Sequence, residues 1–238
     1  MRSKQLDLGK YDTDKIRNSY LDRYDSVLEP WVNKEIILLE LGVYKGGSLC
    51  LWRDYFPYGK IIGTDLKLPQ NRDLGERISL FQGNQTDVGF LSGMSRQVAP
   101  EGFDIIIDDA SHIGITTRIT FWHLFDYHLK PGGLYVIEDW GTGYWSDWVD
   151  GRNFRKRLQL LAKAWQRIQS RWHFCNRLPI KLPIRSHDYG MVGFIKELVD
   201  EQGAADLTRK SNKGQPARNS KFACLLIKPS IVFIHKAL

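Results

Sequence analysis

The sequence predicts an α/β fold: a doubly wound, mostly parallel sheet that closes with a C-terminal antiparallel strand pair. Three observations carry that expectation. Short, nearly continuous apolar runs, the mark of strands buried on both faces of a parallel sheet, alternate with stretches whose apolar residues recur at three and four. The runs end in glycine or acidic residues, where a strand turns into a helix. At the end of the chain, Phe222–Ile227 and Ser230–Ile234 flank Lys228-Pro229 with no helix between them, which reads as a hairpin at the sheet edge with Pro229 in a turn.

The elements follow in order. Residues 14–32 carry Ile16, Tyr20, Tyr24, Val27, Leu28 and Trp31 at helical spacing and are expected to form one helix ending near Pro30. Ile36–Leu41 is the first strand and runs into Gly42-Val43-Tyr44-Lys45-Gly46-Gly47-Ser48; a helix through Leu49, Trp52 and Tyr55 stops at Pro57. Strands are expected at Lys60–Asp65, Ile78–Gln82, Phe103–Asp108 and Leu134–Ile137, with helices around Val88–Gln97 and Thr116–His128 and a turn at Lys130-Pro131-Gly132-Gly133. From Asn153 to Trp172 an apolar stripe (Phe154, Leu158, Leu161, Trp165, Ile168, Trp172) alternates with basic residues, as in a helix docked by one face. Residues 209–219 are polar and read as a loop.

Composition bounds the function. The 238 residues suit one large domain. A hydrophobic content of 42% with 26% charged residues excludes wholesale disorder. The three cysteines, Cys50, Cys175 and Cys224, are too scattered for a disulfide framework or a CxxC zinc site. With no apolar leader and no membrane-length apolar run, a cytoplasmic protein is expected. The net charge of +7 lies largely in 152–171 and 209–221, so it describes an outer surface rather than a crevice.

Chemistry is sought at the carboxyl ends of the strands. The turn from Glu40 to Ser48 puts glycines where backbone can approach a small ligand, although Gly42 and Gly46 are too far apart for the dinucleotide GxGxxG motif and an ordinary βα turn would explain them as well. Asp65 ends the second strand, where a carboxylate can accept both hydroxyls of a ribose. Asp108-Asp109-Ala110-Ser111-His112, and Glu138-Asp139 at the end of the next strand, converge on one crevice. Close like charges need a cation or a proton between them. Asp109, Glu138 and Asp139 offer hard oxygen ligands suited to magnesium, manganese or calcium, and His112 stands within a turn of Asp109, as a general base for a hydroxyl would.

Read together, Thr13-Asp14-Lys15, Leu39-Glu40-Leu41-Gly42-Val43, Trp52-Arg53-Asp54-Tyr55-Phe56-Pro57, Gly63-Thr64-Asp65, Gln82-Gly83-Asn84-Gln85-Thr86-Asp87, Ile107-Asp108-Asp109-Ala110-Ser111-His112 and Pro131-Gly132-Gly133-Leu134-Tyr135-Val136-Ile137-Glu138-Asp139 resemble the class I S-adenosylmethionine-dependent methyltransferases, and among them the metal-dependent macrolide sugar O-methyltransferases. The match covers about the first 145 residues. It departs from the family pattern at Asn84, where an aspartate is usual, at Ala110 in place of glycine, and at Asn18 in place of histidine.

The resemblance implies a Rossmann-like methyltransferase domain over 1–238: an N-terminal helical lid at 1–32, a cofactor- and metal-binding core at 33–145, and a substrate-side and closing part at 146–238. It implies that Glu40, Gly42, Tyr44, Gly46 and Ser48 hold the methionine part of S-adenosylmethionine, Asp65 its ribose, and Asn84, Gln85 and Asp108 its adenine side. Asp109, Glu138 and Asp139 would bind Mg2+, and His112, beside Asp109, would be the catalytic base. The acceptor would be a hydroxyl of a glycoside, with no nucleic acid or membrane partner, in a homo-oligomer. Two other readings are a cephalosporin-hydroxylase-like or other small-molecule chemistry on the same fold, and a nucleic-acid-binding module using helix 153–172. The aromatic loop Trp140–Trp148 could stack on a sugar face or simply pack.

Overall fold

A computed structural model of the chain describes residues 1–70, 74–154, 156, 160, 187–211 and 214–238. Seven strands form one sheet: β1 (Ile37–Leu41), β2 (Lys60–Asp65), β3 (Ile78–Gln82), β4 (Phe103–Asp108), β5 (Leu129–Glu138), β6 (Phe222–Lys228) and β7 (Ile231–Lys236), in the order β3-β2-β1-β4-β5-β7-β6. The first five pair in parallel. β7 runs antiparallel between β5 and β6, with a turn at Pro229-Ser230. The order reverses between β1 and β4, and in such sheets the crevice for a ligand opens at that reversal.

Alternation along the strands sends successive side chains to opposite cores. Leu38, Ile105, Ile107, Leu134, Val136 and Phe233 face α2 (Leu21–Leu28) and α3 (Gly47–Tyr55), through Tyr24, Leu28, Trp52 and Tyr55. Leu39, Leu41, Ile106, Tyr135, Ile137 and Val232 face α4 (Val88–Val98), α5 (Gly114–Tyr127) and α6 (Gly190–Gln202), through Leu91, Phe121, Phe125 and Phe194. Both faces are covered over β1, β2, β4 and the second half of β5, which is why these strands read as nearly continuous apolar runs.

Two expectations change, and a third is not tested. Residues 14–32 are not one helix: α1 (Asp14–Arg17), capped by the Thr13 hydroxyl, ends at Asn18, and Ser19 takes a left-handed conformation at φ 55° before α2 begins. Asn and Ser are poor helix-interior residues whose side chains compete for the backbone, and a 3-10 turn at Glu29–Trp31 completes the segment. The turn at 130–133 lies inside β5. The register there jumps from Phe103 opposite Leu129 to Ile105 opposite Leu134, so the four residues bulge outward with Gly132 at φ 72°. The basic stripe expected over 153–172 falls mostly outside the described residues, as does Cys175; Cys50 and Cys224 are free thiols. Among the described residues no helix is long and apolar enough to cross a membrane.

One contact fixes the loops at the mouth of the crevice. The buried Asp150 carboxylate accepts from the Gly114 and Met191 backbone N–H groups at 2.7 and 2.8 Å, tying the first turns of α5 and α6 together. Two otherwise unpaired helix-terminal donors are satisfied by one anion.

Candidate active site

Beyond the strand ends the parallel ladder continues for one more rung: Gly42 N–H donates to Thr64 O, Asp109 N–H to Leu41 O, and Gly83 N–H to Asp65 O, at 2.9 to 3.0 Å. These rungs bring the βα loops of β1, β2, β3 and β4 side by side around a cleft of about 1190 Å³. The glycine at 42 is explained here by its neighbour. It sits at φ 95°, and a Cβ on it would lie 2.2 Å from the Asp109 carbonyl oxygen, so only glycine lets the β1 and β4 loops touch.

Of the residues singled out from the sequence, Gly42, Tyr44, Ser48, Asp65, Asn84, Gln85, Asp109, His112 and Asp139 line this cleft. Asp65 Oδ2 accepts from the Val43 and Tyr44 N–H groups at 2.8 and 3.0 Å, and Oδ1 from Lys67 N–H, which pins the carboxylate across the β1 turn. Glu40, Gly46, Asp108 and Glu138 do not line the cleft. Gly46 starts α3 as its N-cap. Asp108 is buried on the α5 side beside Gln85 and Tyr135, and burial, reinforced by the charge of Asp109, pushes its carboxyl up to about 7.

Strand parity explains the division. Glu40 on β1, Asp109 just past β4 and Glu138 on β5 all point to the α2–α3 face, and a single fully buried ammonium meets them there. Lys15 Nζ stands 2.6 Å from Asp109 Oδ2, 2.8 Å from Glu138 Oε1 and 3.3 Å from Glu40 Oε1. Glu40 also accepts from Ser48 Oγ at 2.7 Å and Trp52 Nε1 at 3.1 Å, and the Tyr24 hydroxyl donates to Glu138 Oε1. Burial pushes Glu40 and Glu138 upward against the opposing pull of Lys15. Burial alone would lower Lys15, yet Asp109, Glu138 and Glu40 together hold it well above the usual lysine range.

Asp139 breaks the parity. At φ 54° it turns out of the alternation, accepts from the Tyr20 hydroxyl, and stands with Asp109 and His112, itself at φ 51°. Each of the three offers a ligand atom within 4.8 Å of the others, and His112 Nε2 is 3.7 Å from Asp109 Oδ1. Among the described residues this is the group that could hold a metal ion. Left-handed non-glycine backbone at two of its members is strain of the kind that gathers at functional sites. Two half-buried carboxylates with an imidazole give a hard divalent cation the oxygen ligands it prefers. Burial pushes Asp139 upward against the hydrogen bond from Tyr20, and the charge of Asp109 adds to the rise. Trp148 meets the His112 ring at 5.3 Å and 75°, the one aromatic of the 140–148 loop that lines the cleft; the Trp140 indole donates instead to Lys228 O.

The sequence pattern includes Lys15, Tyr20 and Tyr24 but assigns them no role at the site. Periodicity hid them, because on one continuous helix Lys15 would share a face with Asn18, Ser19 and Asp22.

No family model matches the chain. Its sequence is 43% identical over 133 residues to the mycinamicin VI 2''-O-methyltransferase of Micromonospora griseorubida, covering 53% of this chain and 32% of that one. It is 38% identical over 133 residues to the demethylmacrocin O-methyltransferase of Streptomyces fradiae, covering 53% and 33%. Over 226 residues, 92% of this chain and 50% of the other, it is 26% identical to a Streptomyces olivaceus 8-demethyl-8-alpha-L-rhamnosyl tetracenomycin-C 2'-O-methyltransferase. In structure it is similar to the MycE methyltransferase from the mycinamycin biosynthetic pathway in complex with Mg and SAH, with a TM-score of 0.67 at 29% identity over 91% of this chain and 48% of that one. The chain thus spans between about a third and half the length of these relatives. Its fold is the Rossmann-like methyltransferase fold, and the resemblance to the macrolide sugar O-methyltransferases extends to sequence and structure alike.

Proposed function

We propose that this chain is an S-adenosylmethionine- and divalent-cation-dependent O-methyltransferase acting on a hydroxyl of a sugar or glycosylated natural product. The observation that carries the reading is the convergence of Asp109, His112 and Asp139 in the same cleft as the β1 turn and Asp65. The activities for which the relatives are named, and the Mg and SAH bound in the MycE structure, support it. When bound, S-adenosylmethionine supplies an activated methyl group and the cation orients the acceptor and stabilises its developing negative charge.

The residues divide the remaining work. The Gly42–Ser48 turn, with Glu40 behind it, holds the methionine portion, Asp65 the ribose hydroxyls, and Asn84 and Gln85, with Asp108 behind them, the adenine side. Asp109 and Asp139 hold the cation. Glu138 stands behind them with Oε1 committed to Lys15 and Tyr24, which leaves Oε2 as its remaining ligand atom. His112, whose Nε2 stands 3.7 Å from Asp109 Oδ1, takes the proton of the acceptor hydroxyl at that nitrogen. Alignment of donor and acceptor supplies much of the rate.

His112 admits a second reading, because its nitrogen also counts among the possible ligands. A hard cation prefers oxygen, which leaves the imidazole to act as base. His112→Ala should keep S-adenosylmethionine and Mg2+ affinities within a few-fold while methyl transfer to a glycoside acceptor, read by mass spectrometry, drops at least 100-fold. Lost Mg2+ binding in that variant would make His112 a ligand instead. Excess EDTA should stop turnover and added Mg2+ restore it; full activity in the chelator would remove Asp109, Glu138 and Asp139 as cation ligands. The same reading carries a homo-oligomeric, cytoplasmic enzyme, the first part checked by light scattering on the eluting protein.

A further inference from the structure

Each carboxylate of the acidic cluster has one oxygen taken by a side chain from the first 24 residues. Lys15 Nζ holds Asp109 Oδ2 at 2.6 Å, which leaves Oδ1 toward His112. The Tyr20 hydroxyl holds Asp139 Oδ1. Lys15, at 2.8 Å, and the Tyr24 hydroxyl both hold Glu138 Oε1. All three donors are buried: Lys15 lies on α1, Tyr24 on α2 and Tyr20 at the N-cap of α2, and the break at Ser19 aims Lys15 and Tyr20 at neighbouring strand ends.

The segment that carries them is seated by contacts of its own. The Thr13 hydroxyl caps α1, Asp12 O packs where a Cβ on Gly47 would come within 2.0 Å, and Asp25 accepts from Ser3 N–H and Oγ at 3.0 and 2.5 Å. Arg2 donates to Tyr55 O and Asp54 O, and Tyr11 to Asp54 Oδ2 at 2.9 Å. Seating therefore does not depend on any one donor to the cluster.

We infer that Tyr20, with Lys15 and Tyr24, is a positioning residue for the divalent cation: the N-terminal helices form the outer shell that turns Asp109 and Asp139 toward the ion. Outer partners of this kind fix which carboxylate oxygen faces the metal, and losing one typically weakens metal binding by about 10- to 100-fold. The inference rests on the metal reading given under Proposed function and deepens it, since it makes cation affinity a property of the N-terminal segment as well as of the strand ends.

Tyr20→Phe removes a single hydroxyl and keeps the ring. Mn2+ binding to the full chain without S-adenosylmethionine, followed by the loss of free-Mn2+ electron paramagnetic resonance signal, should weaken by about 10-fold. S-adenosylmethionine affinity measured by calorimetry without metal should stay within about twofold of the parent, as expected when no group facing that ligand has changed. Tyr11→Phe is the control: it deletes a hydroxyl that ties the same segment to Asp54 and touches none of the acidic cluster, so its Mn2+ affinity should match the parent chain. A merely structural Tyr20 would lower the melting temperature and leave Mn2+ affinity in the folded protein unchanged. Unchanged affinity in folded Tyr20→Phe, or an equal loss in Tyr11→Phe, overturns the inference while the metal reading stands. A parent chain that binds no Mn2+ overturns both.

Discussion

Lys15 shows how one side chain decides whether the centre is a site or a liability. Three carboxylates on one face of a sheet interior repel one another at short range, and the ammonium among them, with none of its surface exposed, offsets that repulsion. Removing one partner of a buried charge cluster usually destabilises by about 3–5 kcal/mol, because the remaining charges are left unpaired. Lys15→Met, close in volume and uncharged, should lose stability of that order in urea denaturation at pH 8. The loss should shrink as pH falls toward 5, where Glu40 and Glu138, already pushed upward by burial, can take up the protons that replace the missing charge. A loss that stays constant over that range would mean that Lys15 contributes packing and not charge. Gly42 is the matching steric case. Gly42→Ala meets both a φ of 95° and a backbone oxygen 2.2 Å away, and should spread the β1 and β4 loops so that S-adenosylmethionine affinity falls together with stability.

The elements that were legible in the sequence are those whose periodicity alone fixes them. β1 through β4 fall within a residue of expectation, and for β1, β2 and β4 the reason is that a strand buried on both faces writes its length directly as apolar residues. The same clarity marked Asp109, His112 and Asp139, which sit where strands stop. What the sequence concealed depends on a break in periodicity or on strand parity. Tyr20, Tyr24 and Leu28 make a convincing helical stripe, and nothing in that stripe discloses that Ser19 turns left-handed and swings Lys15 inward. Separating Asp108 from Asp109, or Glu138 from Asp139, needs the face of each strand and the φ of 54° at Asp139. The break between α1 and α2 can be tested as an element. A β-branched residue in left-handed backbone costs about 1–2 kcal/mol, so Ser19→Val should destabilise by that amount, whereas Ser19→Gly should be neutral or slightly stabilising. If Ser19→Val melts with the parent chain, the segment has room for a continuous helix and the aim of Lys15 does not depend on the break.

At the scale of the whole molecule, a chain of net charge +7 folds around an acidic crevice, and the carboxylates whose titration folding shifts fall into two thermodynamic classes. Asp25 and Glu201 hold the ends of the fold: Asp25 accepts from Ser3 and Tyr55, and Glu201 from Arg218 and the Lys221 N–H. Burial pushes both upward, but those hydrogen bonds outweigh it, and both lie below the usual carboxylate range. A carboxylate lowered on folding lends stability above its unfolded pKa, near 4, and loses it as pH falls through the lower folded value. Asp108 belongs to the other class. Burial raises it to about 7, so the folded state binds its proton more tightly than the unfolded chain does, and stability from this group falls as pH climbs from about 4 to about 7. His123, His128, His187 and His235, all lowered by burial, push the other way over part of that range. The quantity to read is therefore each variant's stability minus that of the parent across pH. Glu201→Gln and Asp25→Asn should each show a deficit at pH 6 that closes toward pH 2, because protonation removes the same bond from the parent. Asp108→Asn should show a difference that moves in its favour between pH 4 and 8, as the parent alone is forced to bury a charge. A flat difference for Asp108→Asn would mean that this carboxyl is ionised throughout and that its partners Gln85 and Tyr135 outweigh its burial.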